Sequence, residues 1–425
     1  MSGENLIGFD GAAVLADAVR ARATARRTRA RAALGLSVVI ATVWLVFVTV
    51  NGHWDRVTDR WIAAVTMMFG SVVAGSTPQG GGAVAFPVFT KVLEVPTTVA
   101  RSFSLCIQTV GMGTASAAIV ISGRRVDWRA VAIVAPTAVV SFLAAAWLIG
   151  DPDQPFWPSS LPGPYVKVTF TIVVAAMALV VWLSSRSWVT ERIDVLASVP
   201  APALALLVVA GIGGGAASFL VGSGADVFLY LALVALLGLS AGVGVPTSVI
   251  VMAIVSAVGF VLFGIVDGQL SVTVEAGHVV AVGGQAIDPL PADRYDLFGL
   301  WLAAAPVVGF GAPLGSWAAS KVSDRTLARI VVGLALTELA STAVFLPELR
   351  SDTRLLVYAV TGLAVAVVGL TVVFRRRHQL LAIPPIDAGR TLLPRRASID
   401  RDRLSRRGPT GVARADDDTE RRVGQ

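Results

Sequence analysis

The feature that most constrains this chain is a block of 341 residues, 34–374, that carries only 34 charged side chains, about 10%. Soluble proteins average roughly 25% charge, and a globule of this length always leaves a large exterior to be wetted. A block this poor in charge belongs in a lipid bilayer. Over the whole chain 55% of residues are hydrophobic and 15% charged, and the net charge is +7. That positive charge comes from the flanks, since residues 1–33 and 375–425 are rich in arginine while the block between them is slightly acidic. The basic balance is therefore no nucleic-acid footprint, which needs basic residues and aromatic platforms gathered on one folded face. The partners expected are the lipid bilayer and a small ligand, with no nucleic acid; the oligomeric state has no signature in the sequence.

The block divides into spans. An apolar run at 34–50 follows an arginine-rich leader too long for a secretory signal, so it reads as an uncleaved first span. Further spans of about 20 residues fall at 98–122, 128–150, 164–184, 245–265, 297–318, 326–346 and 354–374. Two segments, 61–93 and 202–238, are too long for one crossing, and each is interrupted by glycine, at STPQGGG (76–82) and VGSG (221–224).

Basic residues in short loops set the direction. Loops 123–129, 185–192 and 320–329 carry two or three Lys or Arg each, and are placed in the cytoplasm. Loop 151–164 carries none, and 266–296 carries one Arg against five acids, so both are placed outside. Span 98–122 then runs inward and 34–50 outward, so 61–93 must begin and end outside. By the same parity 202–238 begins and ends inside. Loop 51–60 goes against the charge trend, with Arg56 and Arg60 on the outer side. Each broken hairpin is followed by three spans, and GGGAVAFPVF (80–89) aligns with GSGADVFLYL (222–231).

The expected fold is thus an all-α polytopic membrane protein of two inverted repeats, each a glycine-broken hairpin plus three spans, with one extra helix at each end. Four segments follow: a basic N-terminal tail (1–33), the first span and first repeat (34–199), the second repeat and last span (200–374), and a disordered basic tail (375–425). Both termini are expected in the cytoplasm and the whole in the cell inner membrane. Residues 270–284 alternate valine around Ala276 and Gly277, which predicts a small external β-hairpin.

Inverted repeats with broken helices at matching positions point to a secondary transporter whose site lies at the repeat interface. Backbone N–H groups freed by a break are tolerated in lipid only where they face protein or a cavity, and there they suit an anion. The candidate ligand-binding residues are Ser76, Thr77, Gln79, Gly80, Gly81 and Gly82 on the first break, and Gly222, Ser223 and Gly224 on the second. Span 98–122 adds Arg101, Ser102 and Gln108. Two acids at depth, Asp226 and Glu338, are candidates for carrying a coupling proton. Cys106, the only cysteine, reads as a small core residue. No span carries a histidine and the glycine runs lack the Lys-Ser/Thr of a phosphate loop, so no catalytic site, metal or cofactor is expected.

The stretch GGG–AVAFPVF with Pro87, then Val95-Pro96 and ARSFSLCIQTVGMGTASAAI (100–119), resembles the sulfite exporter TauE/SafE family of membrane transporters. A diverged copy follows in 211–233 and 244–259. The resemblance covers about 61–346. It implies movement of small sulfur-containing anions such as sulfite or organosulfonates, and two repeats about a central site. By motif, Gly80–Gly82 with Pro87 take the first family position and Gly222–Gly224 the second. This chain departs in having Leu229 where the first copy has Pro87, Asp226 within the second motif, and an added external hairpin and basic tail. The expected function is export of such an anion by alternating access. The alternatives are a carrier or channel for another small anion such as a carboxylate, and a membrane scaffold signalling through its tail.

Overall fold

The computed structural model describes residue 32 and residues 34–186 and 199–380. The two tails and the loop 187–198 lie outside the described residues, apart from 375–380, which continue the last helix.

Helix α1 (Leu34–Val50) is followed by a short α2 (Trp54–Asp59). The first repeat is α3 (Trp61–Ser76), α4 (Gly82–Pro87) running into a π turn (Val88–Val92), α5 (Thr97–Ile121), α6 (Trp128–Ile149) and α7 (Gly163–Arg186). The second is α8 (Ala201–Val221), α9 (Ala225–Tyr230) with its π turn (Leu231–Leu236), α10 (Ala241–Gly259, extended by a π segment to Val266), then α12 (Leu297–Ala319) and α13 (Asp324–Phe345). A three-stranded sheet and the short α11 (Ala292–Tyr295) lie between α10 and α12, and α14 (Glu348–Ser351) and α15 (Thr353–Leu380) close the chain. Among the described residues, eight helices are long and apolar enough to cross a membrane. Their outward faces carry large apolar side chains of the kind a bilayer would cover, such as Leu148 at 82% exposure and Val365 at 68%.

The two repeats pack as mirror partners in sequence order. α3 lies along α12 and α8 along α6; α5 meets α12 and α10 meets α6. Exchanging the repeats turns each of these pairs into the other. It leaves α5 against α10, and α7 against α13, as pairs on the axis. Small residues make the long contacts possible: a Cβ on Gly311 or Gly315 would strike Ser71 and Val72 of α3, and one on Gly211 or Gly215 would strike Thr137 and Ala138 of α6.

Even the ends of the two hairpins match. In the first, Leu93 N–H donates to the Val88 carbonyl (2.9 Å) and Val95 N–H to Phe89 (2.8 Å). In the second, Leu237 donates to Ala232 (2.9 Å) and Leu239 to Leu233 (2.9 Å). Both are a five-residue bond followed by a six-residue one. Only the first copy has a proline (Pro87) before its π turn, so proline is not what makes it.

The ends of the helices sort onto two faces. On one face Arg56 lies 3.7 Å and Arg60 3.8 Å from Asp296, which partners both arginines that run against the charge trend. Glu94 pairs with Arg294 (2.7 Å) on the same face, so hairpin 61–93 begins and ends there. Trp157 of the 151–162 loop donates to Asp267 (2.8 Å), joining that loop to the same face. On the other, Arg124 donates to the Ser316 carbonyl (2.9 Å) and hydroxyl (2.6 Å), and Asp127 N–H donates to Thr247 (3.0 Å).

The β element is larger than the hairpin the sequence suggests. β1 (Val272–Glu275) and β2 (His278–Val282) pair around Ala276-Gly277 as expected, but β3 (Gln285–Pro291) adds a third antiparallel strand through the two-residue turn Gly283-Gly284. Pro289 and Pro291 hide it from a propensity reading, since proline donates nothing to a ladder. β3 is an edge strand, where that loss is tolerated.

Candidate functional site

The two glycine breaks touch each other. The first is Thr77–Gly81, where α3 stops and α4 begins; the second is Gly222–Gly224, between α8 and α9. Gly80 (φ +65°) and Gly222 (φ +75°), which share a place in the aligned motifs, are both left-handed, a conformation open to glycine and costly for other residues. A Cβ on Gly82 would lie 2.9 Å from Ser223 Cβ. One on Gly80 would lie 2.6 Å from Asp226 Oδ2, 3.3 Å from Gln108 Oε1 and 3.3 Å from Met112. A Cβ on Gly222 would meet the Arg101 carbonyl and the Ser104 side chain, each at 2.6 Å. The crossing therefore sits against α5 along Arg101, Ser104, Gln108 and Met112, in the first two thirds of that helix.

The polar side chains here are buried and mostly bonded. Gln108 Nε2 donates to Ser104 Oγ (2.7 Å) and to the Gly222 carbonyl (2.7 Å), and Ser104 also donates to that carbonyl (3.0 Å). Asp226 Oδ1 accepts from Val227 N–H (3.0 Å) and lies 3.5 Å from the Ser223 hydroxyl. Ala225 N–H, freed by the second break, is capped by Ser218 Oγ (3.1 Å). Ser76 and Thr77 turn their hydroxyls back to the Val73 carbonyl (3.3 and 3.0 Å), closing the end of α3. Gln79 reaches across to the Val331 carbonyl of α13 (3.3 Å). Four buried polar atoms of this set have no protein partner: Gln79 Oε1, Ser102 Oγ, Gln108 Oε1 and Asp226 Oδ2.

Most of the residues singled out in the sequence thus gather at one crossing. Two stand elsewhere. Arg101 keeps only its backbone at the second break. Its guanidinium donates to the carbonyls of Phe156 (2.8 Å) and Trp157 (2.9 Å) and lies over the rings of Phe219 (4.8 Å) and Phe263 (4.5 Å). It is 1% exposed and holds the 151–162 loop down on the bundle, a use that follows from the loop's turned-in carbonyls.

Glu338 is not alone. Lys91, in the π turn after α4, donates to it at 2.6 Å, and Thr171 donates to the same oxygen at 2.7 Å. Lys91 also reaches Ser341 (3.1 Å) and Thr342 (2.8 Å). Both charged side chains are buried, beside a cleft of about 170 Å³ lined by Pro87, Thr337 and Phe345. Lys91 was missed in the sequence although a signal existed: two lone opposite charges in apolar runs invite pairing, because an unpaired one is expensive.

The fold and the crossed breaks define the class, a polytopic α-helical membrane protein with two broken hairpins packed on each other. The family model described as Sulfite exporter TauE/SafE matches residues 155–342, so that section is similar to the family whose motifs the sequence resembles. The matched section runs from the loop before α7 into the last turn of α13 and includes the second break and Asp226. The first copy, with Gly80–Gly82, lies before it. No curated protein and no solved structure matches the chain.

Proposed function

We propose that the protein is a secondary transporter that exports a small sulfur-containing oxyanion, such as sulfite or an organosulfonate, by alternating access between its inverted halves. The observation that carries this reading is the contact between two glycine breaks that belong to opposite repeats, with one of them inside the family-matched section. A break packed on a break puts both repeats at one site, so a rocking of one half against the other changes which face that site sees. Gly80, Gly81 and Gly82 let the backbone come close to a ligand, and the Ser223 hydroxyl and the unbonded Ser102 hydroxyl offer neutral donors. Both termini on the cytoplasmic side of the inner membrane complete the reading.

The test is uptake of labelled sulfite, sulfate, sulfoacetate and acetate into inverted vesicles. Saturable uptake of a sulfur anion, exceeding that of acetate, is expected. Saturable uptake of acetate alone would replace the sulfur anion with a carboxylate, and uptake of none would remove the transport reading.

A further inference from the structure

Two of the unpartnered oxygens at the crossing face the same point. Asp226 Oδ2 and Gln108 Oε1 both lie against Gly80 and neither has a protein donor. The Gln108 amide has no freedom to turn over. Its nitrogen is held by the Gly222 carbonyl and the Ser104 hydroxyl, and a flip would set Oε1 against that carbonyl. Asp226 is 0% and Gln108 2% exposed, so no water-facing surface relieves either oxygen.

The charges around this point are few. α8 and α10, the helices that pack on α9, contribute no charged side chain, and neither does α3. On α9 itself Tyr230 follows one turn after Asp226. α5 contributes Arg101, which is spent on the Phe156 and Trp157 carbonyls. The segment after the first break contributes Lys91, which is spent on Glu338. α7, packed on the π turn after α9, contributes Lys167 near its start and Arg186 at its end, and α15, packed on the same turn, contributes Arg354 near its start and Arg375–Arg377 near its end. The crossing therefore holds one carboxyl group and no cation of its own.

We infer that Asp226 and Gln108 form a proton site at the crossing, and that an anion enters only with that proton bound, so that one proton travels with each anion. This rests on the anion reading above. An ionised Asp226 and a second anion side by side in a desolvated crossing repel with no cation at the crossing to offset them. A proton taken from solvent onto Asp226 Oδ2 removes that charge and donates to Gln108 Oε1, giving both orphaned oxygens their missing bond. Glu338, already met by Lys91 and Thr171, has no part in this coupling.

The experiment is anion binding by the purified full chain in weakly buffered detergent, between about pH 6 and pH 9, with proton uptake followed alongside. The probes are sulfate, methanesulfonate, sulfoacetate and sulfite, with the titration of sulfite itself subtracted from a protein-free blank. At the alkaline end the wild type is expected to take up about one proton per anion bound and its affinity to weaken about tenfold per pH unit, both effects fading together as pH falls and the free site is already protonated. Asp226→Asn is expected to bind with an affinity that does not change with pH and with no proton uptake. Wild-type binding without proton uptake, or with pH-independent affinity, overturns the inference while leaving the anion reading standing. Binding that requires sodium ions and is lost in Asp226→Asn overturns it in favour of a metal cation. If no probe binds either protein at any pH, the anion reading fails and the inference falls with it. Proton uptake by the wild type decides the matter even if the variant does not fold.

Discussion

Lys91 and Glu338 show how an interior charge is tolerated in this protein. Removing one partner leaves the other buried and unpaired, which costs about 3–5 kcal/mol, whereas replacing both by apolar residues is close to neutral. Lys91→Met is therefore expected to lower the thermal midpoint of the purified protein sharply, and Lys91→Met with Glu338→Leu to recover most of the loss. Equal destabilisation by the single and double changes would contradict the pairing. Arg101 makes a different case. Each bond from its guanidinium to a carbonyl is worth about 1.5–3 kcal/mol when charge-assisted. Arg101→Gln should speed hydrogen exchange at Trp157, whose N–H bonds to the Gln154 carbonyl (3.1 Å) within the loop, and leave anion affinity unchanged. A large loss of affinity with the loop still protected would put the guanidinium at the anion instead. Arg101 illustrates what a sequence hides: a lone arginine near a helix start looks the same whether it meets a ligand, a lipid headgroup or two carbonyls of a loop fifty residues on. Only the chain's return path decides.

The broken hairpins carry the topology. Their ends lie on opposite faces, and Asn51, Ser160 and Glu275 belong to one face while Ser320 belongs to the other. Single-cysteine variants on a Cys106→Ala background test this by labelling with an impermeant reagent in intact cells. Asn51→Cys, Ser160→Cys and Glu275→Cys are expected to label together from outside, and Ser320→Cys only after the membrane is opened. A split among the first three would break the inverted arrangement. Much of this level was legible in advance. Glycine runs too deep in apolar stretches to be loops, together with the parity of short basic loops, lead to two hairpins entering from opposite sides. What they do not show is the π turn that ends each hairpin, since no residue type encodes a five-residue bond when Leu229 and Pro87 are followed by the same turn. Nor do they show β3, a strand whose prolines argue against it while its pairing to β2 overrides them.

At the scale of the whole molecule, the fold brings the two halves into contact where the glycine breaks cross, with Gly82 against Ser223 and Gly80 against Asp226. Alternating access needs that contact to loosen and re-form, and a side chain wedged into it blocks the cycle without touching the rest of the bundle. The tail beyond residue 380 plays no part in this account, so removing it should leave transport intact, and loss of function on its removal would favour a scaffold. The most direct measurement is saturable sulfur-anion uptake by liposomes carrying equal amounts of wild-type protein and Gly82→Val. The account predicts uptake by the wild type and none above background by Gly82→Val, with both proteins inserted and monodisperse. Undiminished uptake by Gly82→Val would contradict it, because an anion that passes a filled crossing does not use it.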